Sequence, residues 1–533
     1  MDDRRAYVSK NQQLAVAVTA QIPGALLRLL LDSNSDKGGT TGVCPYGDEL
    51  ARALYAPSMC GRYLAVAHAA RFMLLERPED SGSEYRLVSV GEASAPDETI
   101  TALLCMGVFV PQQPQRQQHQ QRSQSLCVVV GYSSGHLRIF SMYGHLLTTH
   151  RFHPQSLIRI RQRMPVQTAG FSEAGDMRYA SGSSGSTGNI GRRNAGLMAE
   201  DTEEVCLTFA DGTVVSVDGR SLYLALRLCL SEALDGGTDE PVFQYKKWAF
   251  ELNEPRVSDA VSYGPTAHRD PLAALAKSAL TSSPLLADAT ARFLVAPQCG
   301  DAAFGVFMTN EDAATSVSAV DIAGRVAARV TGAVLSMARS YFWRGGAQDT
   351  GSPDPGGRDA ADRGSDGTAV PCVLAVRDSP RKVLDISLAP PSYGLAALTD
   401  SIGRILLFDL ESCEAVHMLK GQRGSQCAWL ECGSEPGRRR WQQRRMFVVV
   451  YTSRRGSVEV FELGSLERPL ASVGIGSGWR LVQCPAQPLG GSLPVGATAG
   501  RARRAALPAL ARCVLVSAGG MVADIAVSAL DCR

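Results

Sequence analysis

A single pattern of apolar and polar positions recurs along the chain. Each copy has an apolar run, a short polar gap that contains glycine, and a second apolar run. The three clearest copies are CVVVGYSSGHLRIFSM from Cys127, LAALTDSIGRILLFDL from Leu395 and FVVVYTSRRGSVEVFEL from Phe447. In all three the glycine stands five positions before a phenylalanine: Gly135 and Phe140, Gly403 and Phe408, Gly456 and Phe461. A spacing kept in distant parts of the chain indicates one repeated structural unit.

The residue types of each copy predict a β-hairpin. The second apolar run alternates, as where Leu137 and Ile139 flank Arg138. Alternation with a period of two is typical of a strand that buries one face. The glycine in the gap permits the positive φ that a tight turn requires.

Further copies extend the repeat over most of the chain. VCLTFADGTVVSVDG from Val205 and CVLVSAGGMVADIAV from Cys513 keep the glycine, and YLAVAHAARFMLL from Tyr63 lacks it. An isolated hairpin is marginally stable because its apolar face stays in water, so repeated hairpins must cover one another. A pair of β-sandwiches also uses short alternating strands. The fixed spacing favours an all-β fold, a β-propeller with blades that resemble WD repeats but lack the Trp-Asp dipeptide.

The predicted propeller occupies residues 45–533 and follows an N-terminal extension, residues 1–44, that is partly helical. The run LAVAVTAQIPGALLRLLL from Leu14 is too polar for a membrane span and is predicted to form one or two amphipathic helical turns.

Several segments are predicted to lie outside the blades. Apolar residues at three-and-four spacing predict a helical insertion around 270–344, which flanks a strand-like piece beginning at Ala291. Four stretches rich in Gln, Gly, Ser, Asp or Pro have too little apolar content to offset the entropy of ordering. They predict disordered loops at 111–125, 172–200, 345–368 and 485–505.

Composition narrows the class of protein. The net charge is +2, which implies no strong attraction to nucleic acid. The 14 cysteines are scattered, many within apolar runs, where a thiol acts as a small hydrophobic group. The polar N-terminus MDDRRAYVSKNQQ shows no signal peptide. These features predict a cytoplasmic protein of a reducing compartment.

The search for catalytic motifs predicts no enzyme, no cofactor and no metal. The chain has no phosphate-binding loop, no dinucleotide-binding glycine motif, no nucleophile elbow and no His-Glu-x-x-His. His145, His150 and His153 form the one histidine cluster, and without a supporting carboxylate or cysteine they are interpreted as solvated loop residues. A propeller hydrolase with residues gathered from several blades remains an alternative.

One segment is a candidate for binding a partner. In FQYKKWAFE from Phe243, the residues Tyr245, Lys246, Lys247 and Trp248 place two lysines between two large aromatic side chains. Aromatic residues beside cations favour an interface hot spot or a cation–π contact. The same pattern also fits a strand edge on which lysines prevent unwanted pairing.

Several segments together resemble the N-terminal region of the non-catalytic, regulatory subunit of the Rab-three GTPase-activating protein complex. The matching stretches include VVVGYSSGHLRIFSMYGHLL from Val128, YKKW from Tyr245, and the long segment from Leu374 that contains LTDSIGRILLFDL and LKGQRGSQ. FVVVYTSRRGSVEVFELGS from Phe447 follows in the family's order, and order and spacing agree over roughly residues 60–485.

The resemblance implies a β-propeller that does no catalysis. It implies a catalytic subunit as partner, a Rab small GTPase as the regulated protein, and peripheral association with endoplasmic reticulum membranes through partners. A general propeller adaptor is the alternative function. Members of the family generally continue into a long helical region, and the given sequence ends at Arg533. If that region holds the catalytic subunit, the resemblance implies a narrower role for the propeller alone.

Overall fold

The structure is a computed structural model of the chain. It describes residues 6–9, 14–31, 47–50, 52–78, 84–95, 97–110, 123–164, 203–232, 243–252, 256–264, 291–309, 367–432, 445–490 and 510–527.

Strands dominate the described part of the chain. In order, these are β1 (Ala6–Val8), β2 (Leu14–Gln21), β3 (Leu54–Pro57), β4 (Tyr63–His68), β5 (Arg71–Glu76), β6 (Arg86–Glu92), β7 (Ile100–Val110), β8 (Ser123–Tyr132), β9 (His136–Ser141), β10 (Leu146–Arg151), β11 (Leu157–Arg163), β12 (Glu204–Phe209), β13 (Val214–Asp218), β14 (Tyr245–Phe250) and β15 (Val257–Ser262). The second half contains β16 (Ala291–Pro297), β17 (Ala302–Thr309), β18 (Thr368–Val370), β19 (Cys372–Arg377), β20 (Val383–Leu388), β21 (Leu395–Asp400), β22 (Arg404–Asp409), β23 (Glu414–Lys420), β24 (Ser425–Cys432), β25 (Arg445–Thr452), β26 (Ser457–Glu462), β27 (Ala471–Gly474), β28 (Trp479–Gln483), β29 (Cys513–Ser517) and β30 (Met521–Val527).

The strands form seven sheets, each built on four antiparallel strands. Blade 1 is β3–β6, blade 2 is β7–β10, blade 3 is β11–β14, blade 4 is β15–β17 with β19, blade 5 is β20–β23, blade 6 is β24–β27, and blade 7 is β28–β30 with β2. The first strands of successive blades contact one another around a closed circle, from β3 through β7, β11, β15, β20, β24 and β28 back to β3. The predicted propeller is therefore confirmed, and it has seven blades.

The hydrophobic core is divided among the blade interfaces. The buried apolar residues of the described ranges fall into seven clusters, and each cluster combines residues of two neighbouring blades. Both faces of a blade are thus covered, unlike the single buried face that alternation predicted. Arg138, between the buried Leu137 and Ile139, is itself buried and pairs with Glu98 (Nη1 to Oε2, 2.6 Å). Burial of both charges is tolerated because each is hydrogen-bonded to the other.

The predicted turn glycines have the predicted backbone conformation. Gly135, Gly403 and Gly456 have φ angles of 82°, 101° and 62°. In the copy without glycine, Ala69 takes the same role with φ 49°. The hairpin pattern is therefore confirmed in the glycine-containing copies and in the variant copy.

The N-terminal segment corrects a prediction. Leu14–Gln21 is a strand, β2, and not helical; it pairs with β30 and so closes the ring between the two ends of the chain. Its apolar residues contact blade 6 on one face and blade 1 on the other. A strand covered on both faces carries a continuous apolar run, which periodicity cannot distinguish from a helix. Among the described residues of the extension, the helix is α1 (Gly24–Leu31), so the extension is partly helical as predicted.

Two further α-helices lie in the described ranges, α2 (Gly47–Leu50) and α3 (Gly219–Glu232), with a 3₁₀ turn at Pro391–Tyr393. The predicted strand-like piece is confirmed as β16 and β17. The rest of the predicted helical insertion around 270–344 lies outside the described residues, as does loop 172–200.

Three predicted loop boundaries are corrected. Residues 123–125 belong to β8 and Thr368 begins β18. Residues 485–490 are described, and within them Leu489 is fully buried and pairs with blade 2, where its N–H donates to the Gly107 oxygen (2.7 Å) and its oxygen accepts from Phe109 N (3.1 Å). Composition does not predict the burial of Leu489, because a stretch that is polar on average can still place one apolar residue in the core. The remainder of these loops lies outside the described residues.

The antiparallel order gives the propeller two different ends. The turns between the second and third strands of each blade share one end with the links from one blade to the next. The first and third strands of each blade finish at the opposite end. The segments 111–122, 165–202, 265–290 and 491–509 follow first strands, and 310–366 follows the third strand of blade 4. We call the first end the turn end.

Candidate interaction surfaces and the central channel

The predicted partner-binding segment forms β14, the fourth strand of blade 3. Trp248 is only 1% exposed and packs against Phe293 of blade 4, with ring centroids 5.5 Å apart. Its assignment to a binding surface is therefore wrong: the indole belongs to the core between blades 3 and 4.

The other three residues of the segment stay accessible. Tyr245 is 44% exposed, and its ring meets that of Phe152 edge-on at 5.0 Å. Lys246 and Lys247 are half-buried, and pairing with β18 begins only at Trp248. The structure thus combines the two interpretations of the motif. The lysines lie on a partly open strand edge, and the exposed Tyr245 at the start of β14 remains available to a partner.

The three histidines of the cluster lie in separate surroundings. His153 pairs with Asp211 in the turn of blade 3 (Nε2 to Oδ2, 2.6 Å), and His150 packs against Phe152. His145 is exposed, at the other end of β10. Over the described ranges, no group of three or more His, Cys, Asp or Glu side chains could hold a metal ion.

A charged cluster on the first strands of the blades was not predicted from the sequence. Arg161 of β11 makes two hydrogen bonds to Asp259 of β15, both 2.6 Å. Asp259 is fully buried and also accepts from the backbone N–H of Ile386 in β20 (2.8 Å). One ion pair thus links the innermost strands of blades 3, 4 and 5.

Asp385 and Arg480 extend this cluster to blade 7. Arg159 Nη2 lies 3.5 Å from Asp385 Oδ1, and Arg480 of β28 donates to the Ala53 oxygen (2.8 Å). Burial lowers the pKa of Arg480, and the Arg159 charge lowers it further. Since Arg159, Asp385 and Arg480 come from blades 3, 5 and 7, they meet across the central channel.

The two carboxylates of the channel differ in chemistry. Burial, and then the charge of Asp259, raise the pKa of Asp385, although three arginines oppose the shift. The Asp385 side chain faces the channel, and 41% of its surface is exposed to water. Protein atoms nevertheless surround the carboxyl group. Asp259 is held on both oxygens by Arg161, whose two hydrogen bonds join the neighbouring strands. The arrangement suits a structural tie between blades.

A signal for this cluster is present in the sequence. The strand LIRIRQR from Leu157 has arginine at every second position, which is unusual inside a repeat of apolar strands. Arginine at such positions indicates charge-paired contacts between strands. The partners could not be predicted because Asp259 and Asp385 lie far away in sequence.

No helix of the described residues is long and apolar enough to span a membrane.

Three solved structures align with nearly the whole chain at low identity. Saccharomyces cerevisiae Sqt1 is 12% identical, with 99% of this chain and 98% of that chain covered and a TM-score of 0.36. BBS1N, solved in complex with ARL6DN, is 6% identical, with coverage of 90% and 92% and a TM-score of 0.41. BamB from Moraxella catarrhalis is 9% identical, with coverage of 100% and 94% and a TM-score of 0.34. At these values the likenesses carry no functional argument.

The sequence itself matches a family model over residues 50–482, the one described as the Rab3 GTPase-activating protein regulatory subunit N-terminus. The match begins just before blade 1 and ends within β28, so it covers blades 1 to 6 and the first strand of blade 7. The chain therefore belongs to the Rab3 GTPase-activating protein regulatory subunit family, of which it carries the N-terminal domain.

Proposed function

We propose that the chain is a non-catalytic scaffold subunit that regulates a Rab small GTPase through a catalytic partner subunit. The observation that carries the proposal is the family match over residues 50–482, because that family is described as a regulatory subunit. The partner subunit would supply the stimulation of GTP hydrolysis, or of nucleotide exchange, and the propeller would hold and position it.

The central channel supports a scaffold over a propeller hydrolase. A hydrolase needs a carboxylate or another base that is free to act on a substrate. Here Asp259 is bound on both oxygens by Arg161, and Asp385 lies beside Arg159. Both carboxylates are thus engaged in joining blades.

We propose the accessible part of β14 as a contact for the catalytic subunit. Tyr245 supplies an exposed aromatic ring that is held in place by Phe152, and Lys246 and Lys247 add positive charge next to it. Ordered tyrosines beside cations are common among residues that dominate binding energy. Trp248 contributes indirectly, since its burial fixes the position of the strand.

We also propose a cytoplasmic location with peripheral association at endoplasmic reticulum membranes through partners. The family membership supports this part of the proposal, since a subunit that acts on a membrane-attached Rab must reach that membrane.

The test is capture of the catalytic subunit by the purified chain, compared with the double variant K246E/K247E. Both lysines keep part of their surface in water, so the variant should fold. If the segment is the contact, we expect capture of the catalytic subunit to fall at least about tenfold. The matched control is R28E/R86E, which changes the charge equally at two exposed arginines of α1 and β6.

The outcomes separate the contact from the function. Equal capture by wild type and K246E/K247E, with unchanged circular dichroism, rejects the β14 contact and leaves the scaffold role. If the wild-type chain captures no catalytic subunit, the scaffold role is rejected in favour of a general propeller adaptor.

A further inference from the structure

The turn end of blades 5 and 6 is strongly basic. Four connections meet there: 377–382 before β20, 400–404 between β21 and β22, 420–424 before β24, and 452–456 between β25 and β26. They contain two acidic residues, Asp378 and Asp400, and eight basic ones: Arg377, Arg381, Lys382, Arg404, Lys420, Arg423, Arg454 and Arg455. We call these eight residues the basic patch. The whole chain has a net charge of only +2, so the patch is a local concentration of basic residues and does not follow from a basic composition.

The four connections form one continuous surface. Arg404 bonds to Asp378 (Nη1 to Oδ2, 2.9 Å), which joins the first connection to the second. The backbone N–H of Gln422 donates to the Gly403 oxygen (2.8 Å), which joins the second to the third. Arg455 donates to the Gly421 oxygen (3.0 Å), which joins the third to the fourth. The basic residues are therefore neighbours in space.

Carboxylates of the protein itself balance only part of this charge. Arg381 pairs with Asp400 (2.8 Å), Arg404 with Asp378, and Arg455 with Glu459 (3.5 Å). Lys420, Arg423 and Arg454 are exposed, and no carboxylate within the described ranges pairs with them.

The chemistry of the patch favours an acidic polypeptide over a lipid surface. Six of the eight basic residues are arginine, whose planar fork binds carboxylates with two hydrogen bonds. Proteins that lie on membranes usually add apolar side chains that enter the bilayer interface. All large exposed apolar side chains in the described ranges lie outside these four connections.

We propose that the basic patch binds an acidic segment of a partner protein, rich in aspartate and glutamate. This is a second interaction surface, on blades 5 and 6, and it is independent of the β14 contact on blade 3. Clustered positive charge raises the association rate with an acidic partner, and the exposed arginines then fix its carboxylates.

The test measures binding of a fluorescein-labelled peptide of glutamate and serine to the purified full chain by fluorescence anisotropy. We expect binding that weakens as salt rises, because the Debye length shrinks from about 10 Å at 0.1 M to about 3 Å at 1 M. The variant K420E/R423E/R454E should weaken binding at least about tenfold. The matched control R28E/R86E/R227E makes the same change of charge at exposed arginines of α1, β6 and α3, and it should bind as wild type does.

Three results would overturn the proposal. The first is binding of a glutamine–serine peptide as tight as that of the acidic peptide. The second is an equal loss of binding in the patch variant and its control, which would indicate that binding depends only on the overall charge of the protein. The third is patch-dependent binding to vesicles of phosphatidylcholine and phosphatidylserine with no binding of the acidic peptide, which would assign the patch to a membrane. Unchanged circular dichroism of both variants excludes unfolding as the cause.

Discussion

A Cβ atom added at Gly135 would lie 1.9 Å from the backbone oxygen of His153. At Gly403 and Gly456 the nearest backbone atoms would be 2.8 Å and 2.6 Å away. The turn glycines therefore serve two needs: a positive φ, and close approach of the next inter-blade link. At the scale of the residue, the absence of one carbon atom lets neighbouring blades pack together.

Three alanine substitutions separate these two needs. Gly135→Ala adds backbone strain and a clash, and should lower the free energy of unfolding by about 1–3 kcal/mol. Gly61→Ala adds strain only, since φ is 70° and nothing lies within 4 Å, and should cost about 1 kcal/mol. Gly464→Ala adds neither and should stay within about 0.5 kcal/mol of wild type. Urea unfolding of all three measures this, and equal values would contradict the close-approach argument.

Asp400 makes a second residue-scale prediction, on pH. Burial alone would raise its pKa, but the backbone N–H of Arg404, the Arg381 side chain and two more backbone donors outweigh burial and lower the pKa. A lowered carboxyl pKa stabilises the fold above the unfolded value of about 3.9, and this contribution is lost as pH falls below it.

Asp400→Asn should therefore destabilise the protein at pH 7 by about 1–3 kcal/mol, and should flatten the loss of stability between neutral and acidic pH. Asp301→Asn, at an exposed residue in the turn of blade 4, is the control and should leave the pH profile as it is in wild type. Parallel profiles for Asp400→Asn and wild type would show that the carboxylate contributes nothing.

At the scale of the element, the hairpins could be predicted and their surroundings could not. Local spacing fixes a turn, so the hairpins around Gly135, Gly403 and Gly456 followed from the sequence. Which residues cover a strand depends on distant parts of the chain, so local periodicity does not distinguish β2 from a helix. The burial of Trp248 could not be predicted for the same reason, since its partner Phe293 lies in another blade.

Two changes near blade 2 test the element boundaries. The ends of β7 and β8 face each other, Val110 opposite Ser123. Replacing 111–122 by Asn-Gly should therefore leave the melting temperature nearly unchanged, because a two-residue turn can close the hairpin and loop length adds little closure cost. Leu489→Ala removes a fully buried side chain and should cost about 2–5 kcal/mol. Thermal melts compare the two, and a larger effect of the loop replacement would contradict these boundaries.

At the scale of the whole molecule, stability depends on closure of the ring. β2 supplies the fourth strand of blade 7, and Leu14 and Val16 are fully buried between blades 6 and 7. Seven blades each rely on two neighbours, so an opening at one interface exposes apolar surface on both sides. The sequence predicted a repeat of this kind, but neither the seven blades nor their closure by the N-terminus, because both depend on pairing between distant strands.

Removing residues 1–21 takes β1 and β2 from blade 7 and with them several kcal/mol of stabilisation by buried apolar surface. The melting temperature should therefore fall by at least about 10 °C. Removing residues 1–5 leaves both strands and should have no effect. A melting temperature of the longer truncation close to wild type would contradict closure by β2.

The proposed function requires that the chain regulate a Rab GTPase without catalysis of its own. The direct measurement is the rate of GTP hydrolysis by a Rab protein with the purified chain alone, with the catalytic subunit alone, and with both after co-purification. We expect that the chain alone leaves the intrinsic rate unchanged and that it elutes together with the catalytic subunit as an active complex. Stimulation of hydrolysis by the isolated chain, or separate elution of the two proteins, would contradict it.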